Sequence, residues 1–488
     1  MSGILIAGTS SDAGKSLFVT GLCRAARRRG IAVAPFKAQN MSNNSMVCLD
    51  GSEIGRAQYL QAQAAGVAPS SLLNPVLLKP GTDRRSFIVL RGQPAGTLEA
   101  GEYSTSRTHL AEAAYAAYEE LAGQFDLIIC EGAGSPAEIN LRTGDYTNMG
   151  LARRFGLPTV LVGDIDRGGV LAAIYGTWGL LDEADRALLA GYVINKFRGD
   201  QSILDPGLEE ITARTGLRNF GVLPFLHGVW VDGEDALEVG RWKHDGEPGA
   251  GDDLTVAVIR LPRISNATDV DALAQEPGVR VDVTVDPVVV AGADLVVLPG
   301  SRSTLDDLAW LRETGLAEAL TRRVGEGRPV LGICGGFQML ARTIDDEVEG
   351  RGAATGLGLL PVDVRFRADK VLGRPEGEWR GHRVTGYTIH HGRPTVDPGH
   401  EDFLDGVRVG AAWGTMWHGS LESNEFRRAW LAEVARSAGS PWRPRDGGTG
   451  FGALREQMIE TLADAIEAHT DVDALLGLAA IAPRRHPS

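Results

Sequence analysis

The chain has 488 residues, of which 43% are hydrophobic and 23% charged, and its formal net charge at pH 7 is −14. This length predicts about two to four domains that each bury a core, and the negative charge argues against binding to nucleic acid. Four scattered cysteines exclude a disulfide framework, and no CxxC pair indicates a metal site. Because the sequence has neither a signal peptide nor an apolar stretch of about 18 residues, we expect a cytoplasmic protein that does not enter a membrane.

The first half of the chain alternates short, continuously apolar segments with amphipathic helical patterns. Such Val- and Ile-rich segments are typical of parallel strands that are covered on both faces. The apolar segments lie at 3–8, 31–36, 126–130, 158–164 and 191–196. The alternation predicts a doubly wound parallel sheet, an α/β fold, over residues 1–240. Ligands of such sheets bind at the carboxyl ends of the strands.

The segment GTSSDAGKS, residues 8–16, joins the first predicted strand to the first helical pattern. In this context it predicts a phosphate-binding loop, in which backbone N–H groups and the following helix N-terminus hold the anion. The spacing departs from the common GxxxxGK[ST] motif, since Thr9 stands where that motif has its first glycine. The alternative is an ordinary turn between a strand and a helix. The residues expected to hold a nucleotide are Thr9, Gly14, Lys15 and Ser16, with Ser16 also a ligand of Mg²⁺.

Two acidic residues are candidates to complete a Mg²⁺ site beside this loop. Glu131 directly follows the apolar segment at 126–130, where an acid near a phosphate loop typically binds the metal ion. Asp50 lies in a predicted loop before a helix, and an ordinary capping role explains it equally well. Lys37 ends the second predicted strand, so we expect it at the same edge of the sheet.

A polar, glycine-rich segment at 241–253 predicts a linker between two domains. A second series of strands and helices follows and predicts another α/β domain over 254–440, with shorter and more polar strands in its later part. The remaining 441–488 begins with a Pro- and Gly-rich stretch and continues with an amphipathic pattern, which predicts a closing helix.

The segment LGICGGFQML, residues 331–340, places one cysteine between glycines at the end of an apolar stretch. A strand before it, a helix after it and the flanking glycines predict a nucleophile elbow with Cys334 in place of serine. The N-terminus of the following helix favours the thiolate. The alternative, a buried structural cysteine, fits Cys23 and Cys130 better, because these lie in a helical pattern and in a core strand.

A thiol nucleophile needs a base, and His418 in GTMWHGSLESNEF ends a short apolar strand of the same predicted domain. His390 and His391 are the alternatives. The pattern of a thiol and a nearby imidazole predicts acyl transfer.

A tight turn after another strand is a candidate oxyanion hole. Gly300 and Ser301 form this turn, and they offer a backbone N–H to a tetrahedral oxyanion together with the N–H of Gly335.

Two groups of motifs resemble known families. LGICGGFQML, with PGSRST before it and WHGSLE after it, resembles the class I glutamine amidotransferases, whose domain has a flavodoxin-like fold. GTSSDAGKS with EGAGSPAEINL resembles the dethiobiotin-synthetase-like P-loop ATPases, which share the early first glycine. Over essentially the whole chain the sequence is similar to the cobyric acid synthase family. The phrases that carry this resemblance are FKAQNMSNNS, GSEIGRAQ, NPVLLKP, GDIDRGGV, NKFRGD and LPGSRSTLDDLAWLRETGL.

The resemblance implies an enzyme of cobalamin biosynthesis that amidates the b, d, e and g carboxylates of adenosylcobyrinic acid a,c-diamide. ATP and Mg²⁺ would activate each carboxylate, and ammonia from glutamine would form the amide. Cys334 would attack the glutamine side chain, with His418 as base and then acid. The resemblance also assigns Ser16, Asp50 and Glu131 to Mg²⁺, Lys15 and Lys37 to phosphate, and Asn195 to the adenine.

A polycarboxylate corrinoid needs local positive charge on this acidic protein, and arginine holds carboxylates with two parallel hydrogen bonds. Arg142 and Arg167 lie in predicted strand-end loops inside family-like phrases, and they are the expected substrate ligands. The alternative for a single arginine is a solvated surface charge. The sequence shows no cobalt-binding cluster, so any cobalt would arrive with the substrate, and it does not indicate an oligomeric state.

Two positions depart from the family pattern. Thr388 stands in GYTIH where the family has glutamate, and we assign it no role. Ser420 stands two residues after His418, where the usual catalytic triad has a glutamate. This departure predicts a Cys–His dyad, with Glu422 as a further candidate to orient His418.

Three other functions are open at this point. A cobyrinic acid a,c-diamide synthase would perform the same reaction on other carboxylates, but the QNMSNNS and DIDRGG phrases argue against it. An amidotransferase of cell-wall precursors usually has its two activities on separate chains. A ParA-like switch ATPase with a degenerate amidotransferase domain would lack the nucleophile, and the intact elbow and His418 disfavour it.

Overall fold

The structure is a computed structural model of the chain. It describes residues 3–81, 85–99, 107–229, 253–349, 352–445 and 447–479. Except for its last residue, the linker predicted at 241–253 lies outside the described residues, as does the predicted boundary at 240. Within the described ranges, no helix is both long and apolar enough to cross a membrane.

The first domain alternates strands and helices. Its strands are β1 (Gly3–Gly8), β2 (Val33–Phe36), β3 (Gln39–Met41), β4 (Ser45–Val47), β5 (Glu53–Gly55), β6 (Val76–Pro80), β7 (Arg85–Leu90), β8 (Gln93–Glu99), β9 (Leu127–Glu131), β10 (Thr159–Asp164), β11 (Leu189–Phe197) and β12 (Arg218–Pro224). Its helices are α1 (Lys15–Arg28), α2 (Arg56–Ala65), α3 (Thr108–Ala122), α4 (Met149–Phe155), α5 (Val170–Leu180), α6 (Glu183–Arg186) and α7 (Gln201–Thr215).

Six of these strands form one parallel sheet in the order β12-β11-β10-β1-β9-β2. Successive side chains of a strand point to opposite faces. Ile4 and Ile6 of β1 accordingly belong to the apolar cluster on one face, and Leu5 and Ala7 to the cluster on the other. Burial on both faces explains the continuously apolar segments, and the predicted doubly wound parallel sheet is confirmed.

A second sheet was not predicted from the sequence. It has the order β3-β6-β7-β8, and the hairpin β4-β5 lies beside it. Its strands β3 and β8 have no apolar pattern, whereas β6 and β7 contain short apolar segments that were not assigned to a strand. This region brings the QNMSNNS segment against the second domain, where Ser45 N–H donates to Asn266 Oδ1 over 2.9 Å.

The second domain begins with β13. Its strands are β13 (Leu254–Ile259), β14 (Ile264–Ser265), β15 (Val279–Thr284), β16 (Leu295–Leu298), β17 (Gly300–Ser301), β18 (Val330–Ile333), β19 (Thr343–Asp346), β20 (Gly352–Thr355), β21 (Val362–Gly373), β22 (Glu376–Trp379), β23 (His382–Thr385), β24 (Thr388–Val396), β25 (Glu401–Phe403), β26 (Gly406–Val409) and β27 (Ala412–Thr415). Its helices are α8 (Asp271–Ala274), α9 (Pro287–Gly292), α10 (Thr304–Glu313), α11 (Leu316–Gly325), α12 (Gly335–Leu340) and α13 (Asn424–Ala438).

Its main sheet has the order β15-β13-β16-β18-β27-β26-β25, and the first five strands are parallel. The predicted α/β class is therefore confirmed here too. The strands β16, β18 and β27 are neighbours with their carboxyl ends at one edge. The segments that leave these ends carry Gly300, Cys334 and His418, so the sheet order places the predicted site residues side by side.

The C-terminal helices return to the first domain. They are α14 (Phe451–His469) and α15 (Val472–Gly477). Helix α14 lies so close to α1 that a Cβ on Gly21 would be 2.7 Å from Ile466 Cγ1. Arg24 at the same contact binds Glu456 over 2.6 Å. The first domain is therefore built from both ends of the chain.

Candidate active sites

Cys334 occupies a sharp turn between β18 and α12. Its φ is 51° and its ψ is −108°, a conformation that residues other than glycine rarely adopt and that stores strain. The turn is held because Cys334 N–H donates to Thr415 O over 2.8 Å. A Cβ on Gly336 would lie 1.9 Å from Leu298 O, so the approach of α12 to β16 requires glycine at this position. These features make the segment a strained, rigid elbow.

His418 is oriented by a carboxylate. Its Nδ1 donates to Asp269 Oδ2 over 2.6 Å, and Gly419 N–H donates to Asp269 Oδ1 over 2.8 Å. Asp269 lies in the short 3₁₀ turn Ala267–Val270. With Nδ1 engaged, Nε2 is the ring nitrogen that faces the Cys334 thiol. The predicted Cys–His dyad is therefore a Cys–His–Asp triad in the structure.

The third residue of the triad could not be found from sequence spacing. Asp269 precedes His418 by 149 residues, in a short polar stretch that follows the first strand of the domain. Glu422, the predicted alternative, instead accepts hydrogen bonds from Arg56 Nη2 over 2.5 Å and from Arg455 Nη2 over 3.0 Å. It joins the two domains and the C-terminal helix, and it does not orient the imidazole.

The charges of the triad favour an ion pair. Burial opposes the charged form of His418, but the Asp269 carboxylate and the adjacent Cys334 outweigh it and raise the pKa of His418 to about 10. The imidazole is thus protonated at neutral pH. A thiolate beside an imidazolium is the nucleophilic form of cysteine.

The two alternative histidines are bound elsewhere. His390 Nδ1 lies 2.8 Å from Gly392 O, and His391 Nδ1 lies 3.0 Å from Arg367 O. Burial lowers the pKa of each to about 4, so both are neutral at physiological pH. Neither has the carboxylate partner that His418 has.

The residues of the predicted oxyanion hole lie together beside the elbow. Ser301 N is 2.6 Å from the position that a Cβ on Gly335 would occupy, and a Cβ on Gly300 would be 3.0 Å from His418 Cε1. Strand β17, which contains Gly300 and Ser301, is fixed by its pairing with β14. The backbone of this turn is therefore positioned next to the thiol.

A small cavity of about 40 Å³ adjoins the thiol. Its lining includes Cys334, Ser301, Gln338, Arg302, Lys370 and, from the first domain, Lys79. The glutaminase-like site is thus a small space to whose wall the first domain contributes Lys79.

The predicted phosphate loop lies at the carboxyl end of β1. Gly14 has φ 95°, and a Cβ there would lie 2.0 Å from Asn195 Nδ2, which donates to Ala13 O over 3.0 Å. Lys15 Nζ donates to the carbonyl oxygens of Ser10 and Gly134 over 3.1 and 3.2 Å. The structure thus brings Asn195 to the loop that contains Lys15, and its role toward the adenine, which the family resemblance implies, stays a prediction.

Thr9 is bound to the sheet. Its N–H donates to Val162 O over 3.0 Å, so this N–H extends the pairing of β1 with β10. The displaced first glycine of the motif is consistent with this arrangement, because Thr9 continues the strand and the loop begins after it.

Glu131 is the centre of a buried polar group. It accepts hydrogen bonds from Ser16 Oγ over 2.8 Å, from Lys37 Nζ over 2.8 Å and from Gln61 Nε2 over 2.5 Å. Burial alone would raise the pKa of Glu131, but the adjacent Lys37 ammonium outweighs burial and holds this pKa below its usual range. The carboxylate is therefore charged. Sequence reasoning missed Gln61, because nothing distinguishes it from the other glutamines of α2.

Asp50 is not brought to this group. It lies in the turn between β4 and β5, where its Oδ1 accepts hydrogen bonds from Ser52 N over 2.9 Å and from Ser52 Oγ over 2.6 Å. These bonds are those of an ordinary turn-capping acid, which was the alternative interpretation of the sequence.

A larger cavity of about 520 Å³ opens beside Lys15. Its lining includes Lys37, Asn40, Asn44, Arg107, Arg142, Thr147 and, from the second domain, Pro262 and Ile264. The cavity lies at the carboxyl ends of the parallel strands, where ligands of doubly wound sheets bind. Its lining combines apolar surface with several cationic and amide side chains, and it is large enough for a bulky anionic ligand.

The two predicted substrate arginines differ in their surroundings. Arg142 lines the larger cavity but holds the buried Asp185 with two hydrogen bonds of 2.8 and 2.9 Å. Arg167 is mostly exposed and lies 3.6 Å from Asp12 of the phosphate loop. Arg107 was not predicted, although it lines the cavity and donates to Gln39 Oε1 over 2.9 Å.

Two family models match the chain. The model of the CobQ/CobB/MinD/ParA nucleotide binding domain matches residues 4–236. The model of the CobB/CobQ-like glutamine amidotransferase domain matches residues 255–426. The two matches correspond to the two domains of the structure.

Relatives are similar over nearly the whole length. The cobyric acid synthase of Cutibacterium acnes is 67% identical over 98% of this chain and 100% of that protein. The cobyric acid synthase of Mycolicibacterium gilvum is 55% identical over 99% of this chain and 98% of its own length. That of Streptomyces avermitilis is 56% identical over 97% of this chain and 95% of its own length. The protein therefore belongs to the cobyric acid synthase family.

Proposed function

We propose that the protein forms amides on peripheral carboxylates of a corrinoid in cobalamin biosynthesis, with ATP as the activating reagent and glutamine as the source of ammonia. The observation that carries this proposal is the presence of two complete sites, a Cys–His–Asp triad and a phosphate loop with a buried carboxylate, on either side of one domain interface. The acceptor is adenosylcobyrinic acid a,c-diamide, and the positions amidated are b, d, e and g.

In the second domain, Cys334 attacks the amide carbonyl of glutamine. The tetrahedral oxyanion receives hydrogen bonds from the backbone at Ser301 and Gly335. The protonated His418 gives its proton to the departing nitrogen, so ammonia leaves and a thioester remains. Water activated by His418 then releases glutamate, and Asp269 holds the ring in one orientation throughout.

In the first domain, the loop at Lys15 holds ATP phosphates. Bound Mg²⁺ would neutralise charge on these phosphates and on the phosphoryl group in transfer. The Ser16 hydroxyl and the Glu131 carboxylate, 2.8 Å apart at the start of α1, are the oxygen donors that such an ion prefers. Lys37 and Gln61 fix the carboxylate. A substrate carboxylate that receives the terminal phosphoryl group becomes an acyl phosphate, and ammonia displaces phosphate from it.

Ammonia must reach the acyl phosphate without entering water, where it would become the non-nucleophilic ammonium ion. The wall between the two cavities is thin. Lys79 faces the small cavity and Pro80 the large one, while Ser265 faces the small cavity and Ile264 the large one. The two cavities are thus separated by single residues of the interface, which supports the direct transfer of ammonia from one to the other.

The larger cavity suits a polycarboxylate acceptor. Lys15, Lys37 and Arg107 place positive charge on its walls. Arg142 and Arg167 are the proposed ligands of the outer carboxylates. Arginine is suited to this role because its planar fork bonds carboxylate oxygens in pairs.

The test is to incubate the protein with Mg-ATP, glutamine and adenosylcobyrinic acid a,c-diamide, and to follow the corrinoid mass. Stepwise replacement of OH by NH₂ is expected, up to four times if b, d, e and g are all amidated. A product from undecorated cobyrinic acid alone would instead favour a cobyrinic acid a,c-diamide synthase. Glutamine hydrolysis without any change in either corrinoid would retain the amidotransferase and discard the corrinoid as acceptor.

A further inference from the structure

The triad residue Asp269 is held in place by the first domain. Its 3₁₀ turn begins at Ala267, and Ala267 N–H donates across the domain interface to Asn44 Oδ1 over 3.1 Å. In the reverse direction, Ser45 N–H donates to Asn266 Oδ1 over 2.9 Å. All four residues are buried. Two asparagine side chains thus form a reciprocal pair of hydrogen bonds at the start of the turn, and we name these two bonds the asparagine latch.

The latch acts at the first residues of a short turn, which is also held by the burial of Ala267 and Val270 in the domain core and by the bonds of Asp269 to His418 and Gly419. The turn is only four residues long, and Asn266 before it has a positive φ of 51°. Asparagine adopts this left-handed conformation more readily than most residues other than glycine, which suits it to the entry of the turn. Asn44 supplies a bond to the first free N–H of the turn, as a capping side chain does in a helix. Here the capping residue belongs to the other domain.

We propose that Asn44 is a positioning residue for the glutaminase reaction: through the asparagine latch, the first domain sets the orientation of Asp269 and hence of His418. The inference deepens the proposed function and rests on Cys334 and His418 acting on glutamine. It gives the QNMSNNS motif of the nucleotide-binding domain a role besides lining the larger cavity.

The chemistry depends on short distances. Asp269 reaches His418 Nδ1 over 2.6 Å, and it reaches Gly419 N over 2.8 Å. A turn that moves by a fraction of an ångström lengthens both bonds. The carboxylate then supports the imidazolium less, and the imidazole no longer points its Nε2 steadily at Cys334. An orienting group that is misplaced by this distance reduces turnover, while the binding site for glutamine is retained.

The same side chain faces the other site. Asn44 lines the larger cavity, where the acceptor and ATP are proposed to bind. It therefore contacts both the acceptor cavity and the turn of the triad. One residue thus lies between the site that consumes ammonia and the group that helps to release it.

The test compares Asn44→Ala, which removes the acceptor oxygen, with Asn44→Asp, which keeps one. For Asn44→Ala we expect glutaminase kcat to fall about tenfold while KM for glutamine is unchanged. Because the carboxylate stabilises the imidazolium less, the alkaline limb of the pH–rate profile should move to lower pH. Asn44→Asp should restore most of kcat and the position of that limb.

A second variant removes the other hydrogen bond of the asparagine latch, whose acceptor lies in the second domain. Asn266→Gly keeps the backbone freedom that φ 51° requires and removes the other acceptor, so it should reproduce the loss in kcat. Asn219→Ala is the matched control, because Asn219 Oδ1 accepts from Gly221 N over 2.9 Å, a bond within the first domain. This control should hydrolyse glutamine at the parent rate.

The proposal is overturned if Asn44→Ala retains the parent kcat and pH profile, or if Asn44→Asp is as impaired as Asn44→Ala. The second result would mean that packing, and not the accepted hydrogen bond, explains the loss. Cys334→Ala separates this proposal from the proposed function: if that variant still hydrolyses glutamine, the triad assignment itself fails.

Discussion

The two sites of this protein are built differently, although they lie in one chain and share an interface. The triad pocket is small and its side chains are fixed, with a strained Cys334, a buried His418–Asp269 pair and a cavity of about 40 Å³. The phosphate-loop site opens into about 520 Å³, and its Lys15 rests on carbonyl oxygens of nearby loops. Glutamine, a small neutral amide, and the proposed acceptor, a large polyanion, thus have pockets that differ in size.

The difference follows from the chemistry that each site performs. A thiol gains nucleophilicity from a preset ion pair and a fixed oxyanion hole, and both need a rigid setting. Phosphoryl transfer to a bulky acceptor depends on positioning mobile charged groups around phosphates. If this comparison is right, changes at the triad should abolish only the use of glutamine, whereas changes at the phosphate loop should abolish synthesis from any nitrogen donor.

Loss of the nucleophile should give the largest effect. We expect Cys334→Ala to reduce glutamine-dependent synthesis by at least about 10⁴-fold, because the variant cannot form a thioester. Synthesis with ammonium salts should persist. The rates with each donor are compared by corrinoid mass, and a variant that loses both activities would contradict the separation of the two sites.

Loss of the buried carboxylate beside the phosphate loop should have the next largest effect. Glu131→Gln removes a charge of the proposed Mg²⁺ site, so synthesis from either glutamine or ammonium should fall about a thousandfold. Hydrolysis of glutamine without ATP should be retained. Undiminished synthesis from ammonium would remove Glu131 from the phosphate chemistry.

The third change tests the residue that completes the triad. Asp269→Asn should lower glutaminase kcat about a hundredfold, less than the roughly 10⁴-fold cost beside a serine nucleophile, because a thiol ionises more readily. The carboxylate raises the pKa of His418, so its removal lowers that pKa and the imidazolium is lost at lower pH. The alkaline limb of the pH–rate profile should therefore move toward neutrality. An unmoved limb would show that Asp269 does not tune the imidazole.

A smaller effect is expected on thermal stability. It concerns Glu422, whose carboxylate binds Arg56 of the first domain and Arg455 of the C-terminal helix. Burial alone would raise the pKa of Glu422, but the two arginines outweigh it and lower this pKa to about 2. The stabilisation is therefore complete above the ordinary carboxyl pKa and is lost as the pH falls toward 2. Glu422→Gln should lower Tm at pH 7 by roughly 5 °C and weaken the dependence of Tm on acid pH. The exposed Glu425→Gln is the control, and equal Tm values for the two variants would contradict the prediction.

The smallest effect is expected at Asp50. Because its carboxylate caps a turn and does not reach Glu131, Asp50→Asn should change the rate of synthesis with saturating ATP by less than about twofold, as surface changes usually do. The measurement is the Mg²⁺ dependence of synthesis from ammonium. A strong rise in the Mg²⁺ requirement would restore Asp50 as a metal ligand.

Local patterns in the sequence predicted the parts of both sites that are formed by one short, continuous segment of the chain. The elbow at Cys334 and the loop before Lys15 each have a strand, glycines and a helix in succession, and each therefore has a signature that a reader of the sequence can recognise. The apolar segments predicted the parallel sheet because burial on both faces leaves no polar side of a strand.

The remaining site residues are distant in sequence from their partners, and the tertiary fold brings them together. Asp269 completes the triad from the 3₁₀ turn that follows β14, and Gln61 reaches Glu131 from a helix that shows no distinguishing pattern. Asn44 acts on the opposite domain. No periodicity or spacing connects such residues to their partners, since only the order of strands in space does so.

The placement of the last helices has a consequence for the nascent chain. Domains near the N-terminus usually fold while the rest of the protein is still being made. Here Gly21 of α1 lies against α14, and Phe18 and Leu22 of α1 belong to an apolar cluster that also includes Met458, Ile459 and Leu475. Until the ribosome has released these residues, the first domain has an uncovered apolar surface of the kind that chaperones and proteases recognise. A chain truncated before α14 would therefore expose this surface permanently, and only full-length translation conceals it.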